Sequence, residues 1–151
     1  MNDDRLNKQI EQIDKAFHAF WRGIMLGGDK SVSETLKGLG FIDMQLIEIA
    51  YRRPDAILKE IRDYLRIPQT TLSSAILRLE KRGFLRRIIN HRDMRSFSLE
   101  ITEKGKEILE EHKKDDYEQS KGVLLLLEEN ERDEFIRLFL KISSKMGKDL
   151  F

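Results

Sequence analysis

The 151-residue chain contains no cysteine. That absence excludes disulfides, thiolate metal sites, cysteine nucleophiles and thiol-based redox sensing, and it fits a reducing compartment. Proline occurs twice, as Pro54 and Pro68, and aromatic residues make up only 8% of the chain. So few chain breakers, beside 40% hydrophobic and 36% charged residues, exclude collagen-like, linker-like and disordered classes and point to one helix-rich domain. Long hydrophobic runs are missing as well. The longest, Val123 to Leu127, falls far short of the ~20 residues that cross a bilayer, and the start Met1-Asn2-Asp3-Asp4-Arg5 lacks a signal peptide's apolar stretch. A soluble cytoplasmic protein with no membrane partner is the expectation.

Catalytic signatures are also absent. There is no H-E-x-x-H, no glycine-rich phosphate loop and no G-x-S-x-G, and His18, His91 and His112 stand singly. No enzymatic activity and no cofactor are expected. Glu110, Glu111, His112, Asp115 and Asp116 put Glu111 with Asp115, and His112 with Asp116, four apart on one helix. Metal ligands can be spaced so, but so is a solvated charged face, and no metal site is expected.

The formal net charge of +1 hides a strong asymmetry. Residues 66–97 hold eight Lys/Arg against two acids, a net +6, which leaves 20 basic and 25 acidic residues, a net −5, elsewhere. A basic middle between acidic ends points toward a polyanionic partner, although charge alone also describes an ordinary solvated face.

Apolar periodicity supplies the organisation. Leu6, Ile10, Ile13, Phe17, Phe20, Trp21 and Ile24 recur every three or four residues, one stripe of a long helix ending near Gly27-Gly28. Residues 29–40 read as a loop, and 41–51 as a second helix stopped by Arg53-Pro54. Ile57, Leu58, Ile61 and Leu65 mark a third helix. Pro68 stands at the first position of a fourth, striped by Leu72, Ala75, Ile76 and Leu79 and ended by Gly83. The period then changes to two: Phe97, Leu99 and Ile101 alternate with Ser96, Ser98 and Glu100, which predicts a strand with one buried face, paired with 85–89. The polar residues 90–95 form the charged tip of this hairpin. Thr102 predicts the cap of a helix from 103 to about 120, and Asn130 with Asp133 the capping box of a last helix, striped by Phe135, Leu138, Phe139, Ile142 and Met146.

Two short helices with a tight connection, followed by a two-stranded hairpin, make a winged helix-turn-helix, and they coincide with the basic block. The fold class is mainly α (α+β). In such a unit the fourth helix enters a major groove and the hairpin tip reaches the next minor groove. With Leu72, Ile76 and Leu79 inward, Thr70, Ser73, Ser74, Leu77 and Lys81 turn outward, with Gln69 at the edge. Gln69, Thr70, Thr71, Ser73, Ser74, Leu77 and Arg78 are therefore the recognition-helix candidates: amide and hydroxyl groups read base edges, and Leu77 suits a thymine methyl. The hydroxyls would equally cap and polarise a surface helix. At the wing, Arg92 and Arg95 bracket Asp93, whose carboxylate is placed to hold an arginine for a narrow minor groove or simply to stabilise the turn. Lys81, Arg82, Arg86 and Arg87, with Arg78, flank the reading face and suit phosphates.

These residues resemble the MarR family of winged-helix transcription regulators. The sharpest part is Asp93-Met94-Arg95, then five residues, then Ile101-Thr102-Glu103-Lys104-Gly105, which matches the family's D-x-R followed by L/I-T-x-x-G. The run from Ile67-Pro68-Gln69-Thr70-Thr71-Leu72-Ser73 to Leu79-Glu80-Lys81-Arg82-Gly83 looks like its recognition helix. Departures are Arg62 and Arg66, where many members have a small residue and a turn glycine, and Pro68, where Ser or Thr often caps the helix.

The resemblance implies a single domain over 1–151, with 1–38 and 106–151 as dimerisation helices and 39–105 as the DNA-binding lobe. It implies a homodimer on a pseudopalindromic, double-stranded operator, most often as a repressor. The terminal stripes agree, since they carry more apolar surface than the small middle lobe has room to cover; packing within one chain is the alternative. The resemblance also implies release by a small aromatic ligand, for which Phe17, Phe20, Trp21 and Tyr51 are the candidate lining, although such a stripe equally suits a core or interface. A sequence-neutral DNA-coating or protein-interaction module is the alternative function.

Overall fold

The computed structural model describes residues 2–27, 36 and 38–147. Its elements run α1 (Asn2–Gly27), α2 (Phe41–Arg52), α3 (Leu58–Leu65), α4 (Gln69–Arg82), β1 (Leu85–Ile89), β2 (Phe97–Ile101), α5 (Glu103–Leu124) and α6 (Glu129–Met146). The order and type of elements are those the periodicities predict. The loop expected over 29–40 lies outside the described residues except at 36 and 38–40. Backbone contacts divide the chain into two compact units, 1–32 and 33–151.

In the first unit, α1 keeps its stripe, but Leu6, Ile10, Ile13, Phe17, Phe20 and Trp21 are all 43–56% exposed. The Phe20 and Trp21 rings meet edge to face, 6.0 Å between centroids.

In the second unit the core joins Leu46, Ile47, Ile49 and Ala50 of α2 to Ile61 of α3 and to Leu72, Ala75, Ile76 and Leu79 of α4. Phe84, Leu85 and Leu99 close it from the hairpin side, and Ile108 and Leu109 from α5. α3 starts where the Ile57 N–H donates to Glu60 Oε2 at 3.0 Å and ends at Arg66, whose φ of 52° and ψ of 41° are left-handed. A non-glycine residue costs about 1–2 kcal/mol there. The departure of Arg66 from the glycine pattern is thus in residue type only, since the turn keeps the geometry glycine would favour. This turn lets Ile67 pack back against the core.

Pro68 is the N-cap of α4, one residue before the helical position expected for it: its ψ of 151° is extended, while its carbonyl accepts the first helical bond from Leu72 N at 3.1 Å. Gly83, at φ 79°, ends α4; its N–H donates to the Glu80 carbonyl and that of Phe84 to the Leu79 carbonyl, which turns the chain into β1.

The hairpin is antiparallel, with Leu85 opposite Ile101, Arg87 opposite Leu99 and Ile89 opposite Phe97. Strict alternation fails in β2. Ser98 is buried and Phe97 half exposed: Ser98 bridges to Ile57 along the free edge of β2, and its hydroxyl accepts from Asn90 Nδ2 at 2.6 Å.

The I-T-x-x-G run acquires a physical reading. Thr102 Oγ1 accepts from Gly105 N at 3.0 Å, capping α5, and donates to the Gly83 carbonyl at 2.6 Å. A Cβ on Gly105 would overlap the Phe84 carbonyl oxygen and lie 2.8 Å from Ile101 Cγ1. Only glycine lets the helix start against the hairpin so closely.

α5 runs to Leu124, four residues past its expected end, since Gly122 is tolerated and the backbone turns only where Leu126 and Leu127 donate to Val123 and Leu124. α6 also begins earlier than the expected Asn130–Asp133 box: Glu128 is the N-cap, and its N–H donates to Glu131 Oε2 at 2.9 Å. A longer carboxylate three residues on serves as the cap, which leaves Asn130 and Asp133 inside the helix. Arg132 Nε ties α6 to the end of α5 through the Leu124 carbonyl, 3.1 Å away. No residue of α6 is buried.

Candidate nucleic-acid interface

The inward face of α4, Leu72, Ala75, Ile76 and Leu79, is 0–1% exposed. That fixes the outward face. Gln69, Thr70, Thr71, Ser73, Ser74 and Leu77 are all exposed on it, and Gln69 Nε2 donates to Ser73 Oγ at 3.2 Å. Together they present amide, hydroxyl and methyl groups along the N-terminal half and middle of one helix, the chemistry that reads base edges in a major groove.

Arg78 has another engagement. Its Nη2 donates to Asp43 Oδ1 at 2.5 Å, and the Asp43 side chain is 3% exposed. The second oxygen of Asp43 accepts from Gly40 N at 2.9 Å. Asp43 therefore starts α2 and grips α4 in one contact. A buried carboxylate needs such partners, because desolvation otherwise penalises its charge. The signal for Asp43 was an acid on the apolar stripe shared with Leu46, Ile47 and Ala50, and sequence reasoning missed it.

The phosphate candidates divide. Arg86 pairs across the hairpin with Glu100, and Arg87 Nη2 lies 3.0 Å from Glu80 Oε2. Arg82 packs its guanidinium over the Phe84 ring, 4.9 Å from the centroid. The Lys104 ammonium sits 5.1 Å from the same ring and donates to the Arg82 carbonyl at 2.9 Å. The side chains of Arg66, Lys81 and Arg95 are exposed and have no partner among the described residues. Arg87 is thus matched by the block's own Glu80, and Arg78 and Arg86 by Asp43 and Glu100 from outside it.

In the wing, Asp93 does not grip an arginine side chain. Its Oδ1 accepts from the Arg95 backbone N–H at 3.1 Å and its Oδ2 from Ser96 Oγ at 2.6 Å. These bonds, Ser96 first, hold the carboxyl below its usual range. The short loop brings the main chain, not the guanidinium, within reach of the acid. Arg92 leaves the tip altogether: its Nη2 donates to the Asp55 carbonyl at 2.6 Å and to Glu60 Oε2 at 3.4 Å. Of the bracketing pair, Arg95 alone extends unpaired.

The ligand-lining candidates sit on different elements. Phe17, Phe20 and Trp21 are exposed on α1, and Tyr51 near the end of α2 carries the Lys113 ammonium 5.2 Å from its ring centroid. His112 and Asp116 of the acidic helix face form an ordinary i, i+4 contact at 3.4 Å. No cluster suited to a metal occurs among the described residues.

A short helix, a left-handed turn, an exposed polar helix and a hairpin with a free arginine make a winged helix-turn-helix, and residues 43–97 match the MarR family model. Over that segment the lobe is similar to the MarR family. Solved structures agree over nearly the whole chain. YusO from Bacillus subtilis matches with a TM-score of 0.72 at 17% identity, over 91% of this chain and 96% of its own. Streptococcus pneumoniae FabT, solved in complex with DNA, gives 0.65 at 19%, over 95% and 96%. S. aureus MepR, solved bound to ethidium bromide, gives 0.61 at 16%, over 89% and 96%. No curated protein matches the chain. At such identities the structures establish the MarR-type fold, including helices that flank the family segment on both sides.

Proposed function

We propose that this protein is a sequence-specific, double-stranded DNA-binding transcription regulator that acts as a homodimeric repressor on a pseudopalindromic operator in the cytoplasm. The observation that carries this reading is the exposed polar face of α4, from Gln69 to Leu77, in the same lobe as a wing whose Arg95 is unpaired. Gln69, Thr70, Thr71, Ser73, Ser74 and Leu77 take the base edges, Arg95 the minor groove, and Lys81 with Arg82, Arg86 and Arg87 the phosphates. Arg78 contributes from within its pair with Asp43, and Arg92 by anchoring the wing.

Dimerisation rests on the two terminal stripes. Residues 1–38 and 106–151 are the dimerisation helices, and 39–105 the reading lobe. A two-fold axis would set two α4 helices one DNA turn apart, roughly 34–36 Å. Release by a small aromatic ligand in contact with Phe17, Phe20, Trp21 or Tyr51 completes the reading; the MepR–ethidium structure is the precedent for the ligand class.

The test is fluorescence anisotropy with DNA from upstream of the protein's own gene and a shuffled control, at two salt concentrations. A preference of about a thousandfold or more is expected for an operator. Arg95→Ala should weaken operator binding sharply while the protein stays folded. Equal, salt-sensitive binding to both duplexes would favour coating instead.

A further inference from the structure

Asn90 opens the wing loop and is 1% exposed, an unusual place for an amide at a DNA-facing tip. Each polar atom of its side chain is engaged. Oδ1 accepts from the backbone N–H groups of Arg92 at 2.7 Å and Asp93 at 2.9 Å. Nδ2 donates to the Asp55 carbonyl at 2.8 Å and to Ser98 Oγ at 2.6 Å. The Asn90 N–H donates to the Ser96 carbonyl at 2.9 Å, closing the base of the loop. One residue thus joins the loop, strand β2 and the connection between α2 and α3.

We propose that Asn90 is the positioning residue of the wing, acting through Arg95; this rests on the DNA-binding reading above. The chain of contacts is continuous. Asn90 Oδ1 fixes the Asp93 amide, and the Asp93 carboxylate fixes the Arg95 amide and the Ser96 hydroxyl. Ser96 N then donates back to the Asp93 carbonyl at 2.9 Å. The backbone that carries Arg95 is held two residues before and one after it. Arg92, donating to the same Asp55 carbonyl, adds a second strap from the loop to the α2–α3 connection.

The residue type is specific. The site needs two acceptor lone pairs toward the loop and two donors toward Asp55 and Ser98, which an amide supplies on one planar group. Aspartate would turn a buried charge toward the Asp55 carbonyl, and leucine would offer neither function. Without the amide, the Arg92 and Asp93 N–H groups lose their acceptor and the Ser98 hydroxyl its donor, and only the Arg92 strap still ties the loop to the α2–α3 connection. DNA binding would then have to order it, and that cost appears as lost affinity.

The experiment is a double-variant cycle read by anisotropy, on a duplex carrying the site recovered by selection from random-sequence DNA. Wild type, Asn90→Ala, Arg95→Ala and the combined variant are compared, each checked for folding by circular dichroism. Asn90→Ala should weaken binding by about ten- to a hundredfold, and this loss should vanish when Arg95 is already alanine. Unchanged binding of Asn90→Ala, or the same loss with and without Arg95, would overturn the proposal. A purely structural residue would give that equal loss. Should Asn90→Ala not fold, Ser98→Ala removes one bond to the amide and enters the same cycle, with a smaller loss that must also vanish. Absence of selective binding by the wild type would overturn the regulator reading itself. Selective wild-type binding with independent losses would overturn only the role of Asn90.

Discussion

In the lobe from α2 to the first turns of α5, each apolar stripe meets another element, and Leu72, Ile76 and Leu79 are at most 1% exposed. On α6 an equally regular stripe, Phe135, Leu138, Phe139, Ile142 and Met146, is 36–83% exposed, although Phe135 and Phe139 stack on each other at 5.7 Å. Pattern is the same in both, and coverage is not. A stripe records that a helix must bury one side without recording in which chain the cover lies. The lobe is closed within one chain, whereas the α6 stripe stays exposed, and a contiguous exposed apolar stripe is the kind of surface that marks an interaction site.

The two regions should respond differently to mutation. Leu79→Ala should cost the lobe about 2–5 kcal/mol in denaturant unfolding, independent of protein concentration. Phe139→Asp should act differently: wild type should sediment at twice the 17.9 kDa chain mass, and the variant should dissociate about a hundredfold more readily, with the lobe still folded. A Phe139→Asp protein that stays dimeric would remove α6 from the interface.

Smaller effects sharpen the account of charge. Glu100→Gln releases Arg86 from its cross-hairpin partner and should raise DNA affinity a few-fold, with a steeper salt dependence. Titration of the wing should show the least change. The Asp93 carboxyl is held below its usual range, so the stability it lends is fully present above the unfolded value of about 3.9 and is lost as pH falls through the lower folded value. Amide signals of Arg95 and Ser96 should therefore persist from pH 7 to about 4 and broaden only below it. Broadening near pH 6 would mean that another group governs the turn.

The helices, the hairpin and the outward face of α4 were legible because each is written in local periodicity or in a capping residue such as Thr102 or Gly83. What escaped was long-range or two-sided. Asp43 meets Arg78 across 35 residues, and Asn90 reaches Asp55 over the same separation. An acid on the apolar stripe of α2 signals that Asp43 needs a partner without saying which, and nothing local to Asn90 announces one. Ser98 broke the expected alternation where Ile57, the N-cap of α3, bridges to the free edge of the strand. The basic block was visible as a sum, but its pairing with Asp43, Glu60 and Glu100 from outside required three dimensions.

The most direct test of sequence-specific reading by paired lobes is selection from random-sequence DNA by the purified protein, followed by sequencing. An inverted repeat whose half-sites are centred about 10–10.5 base pairs apart should be enriched. Recovery of no sequence above the input library would contradict it.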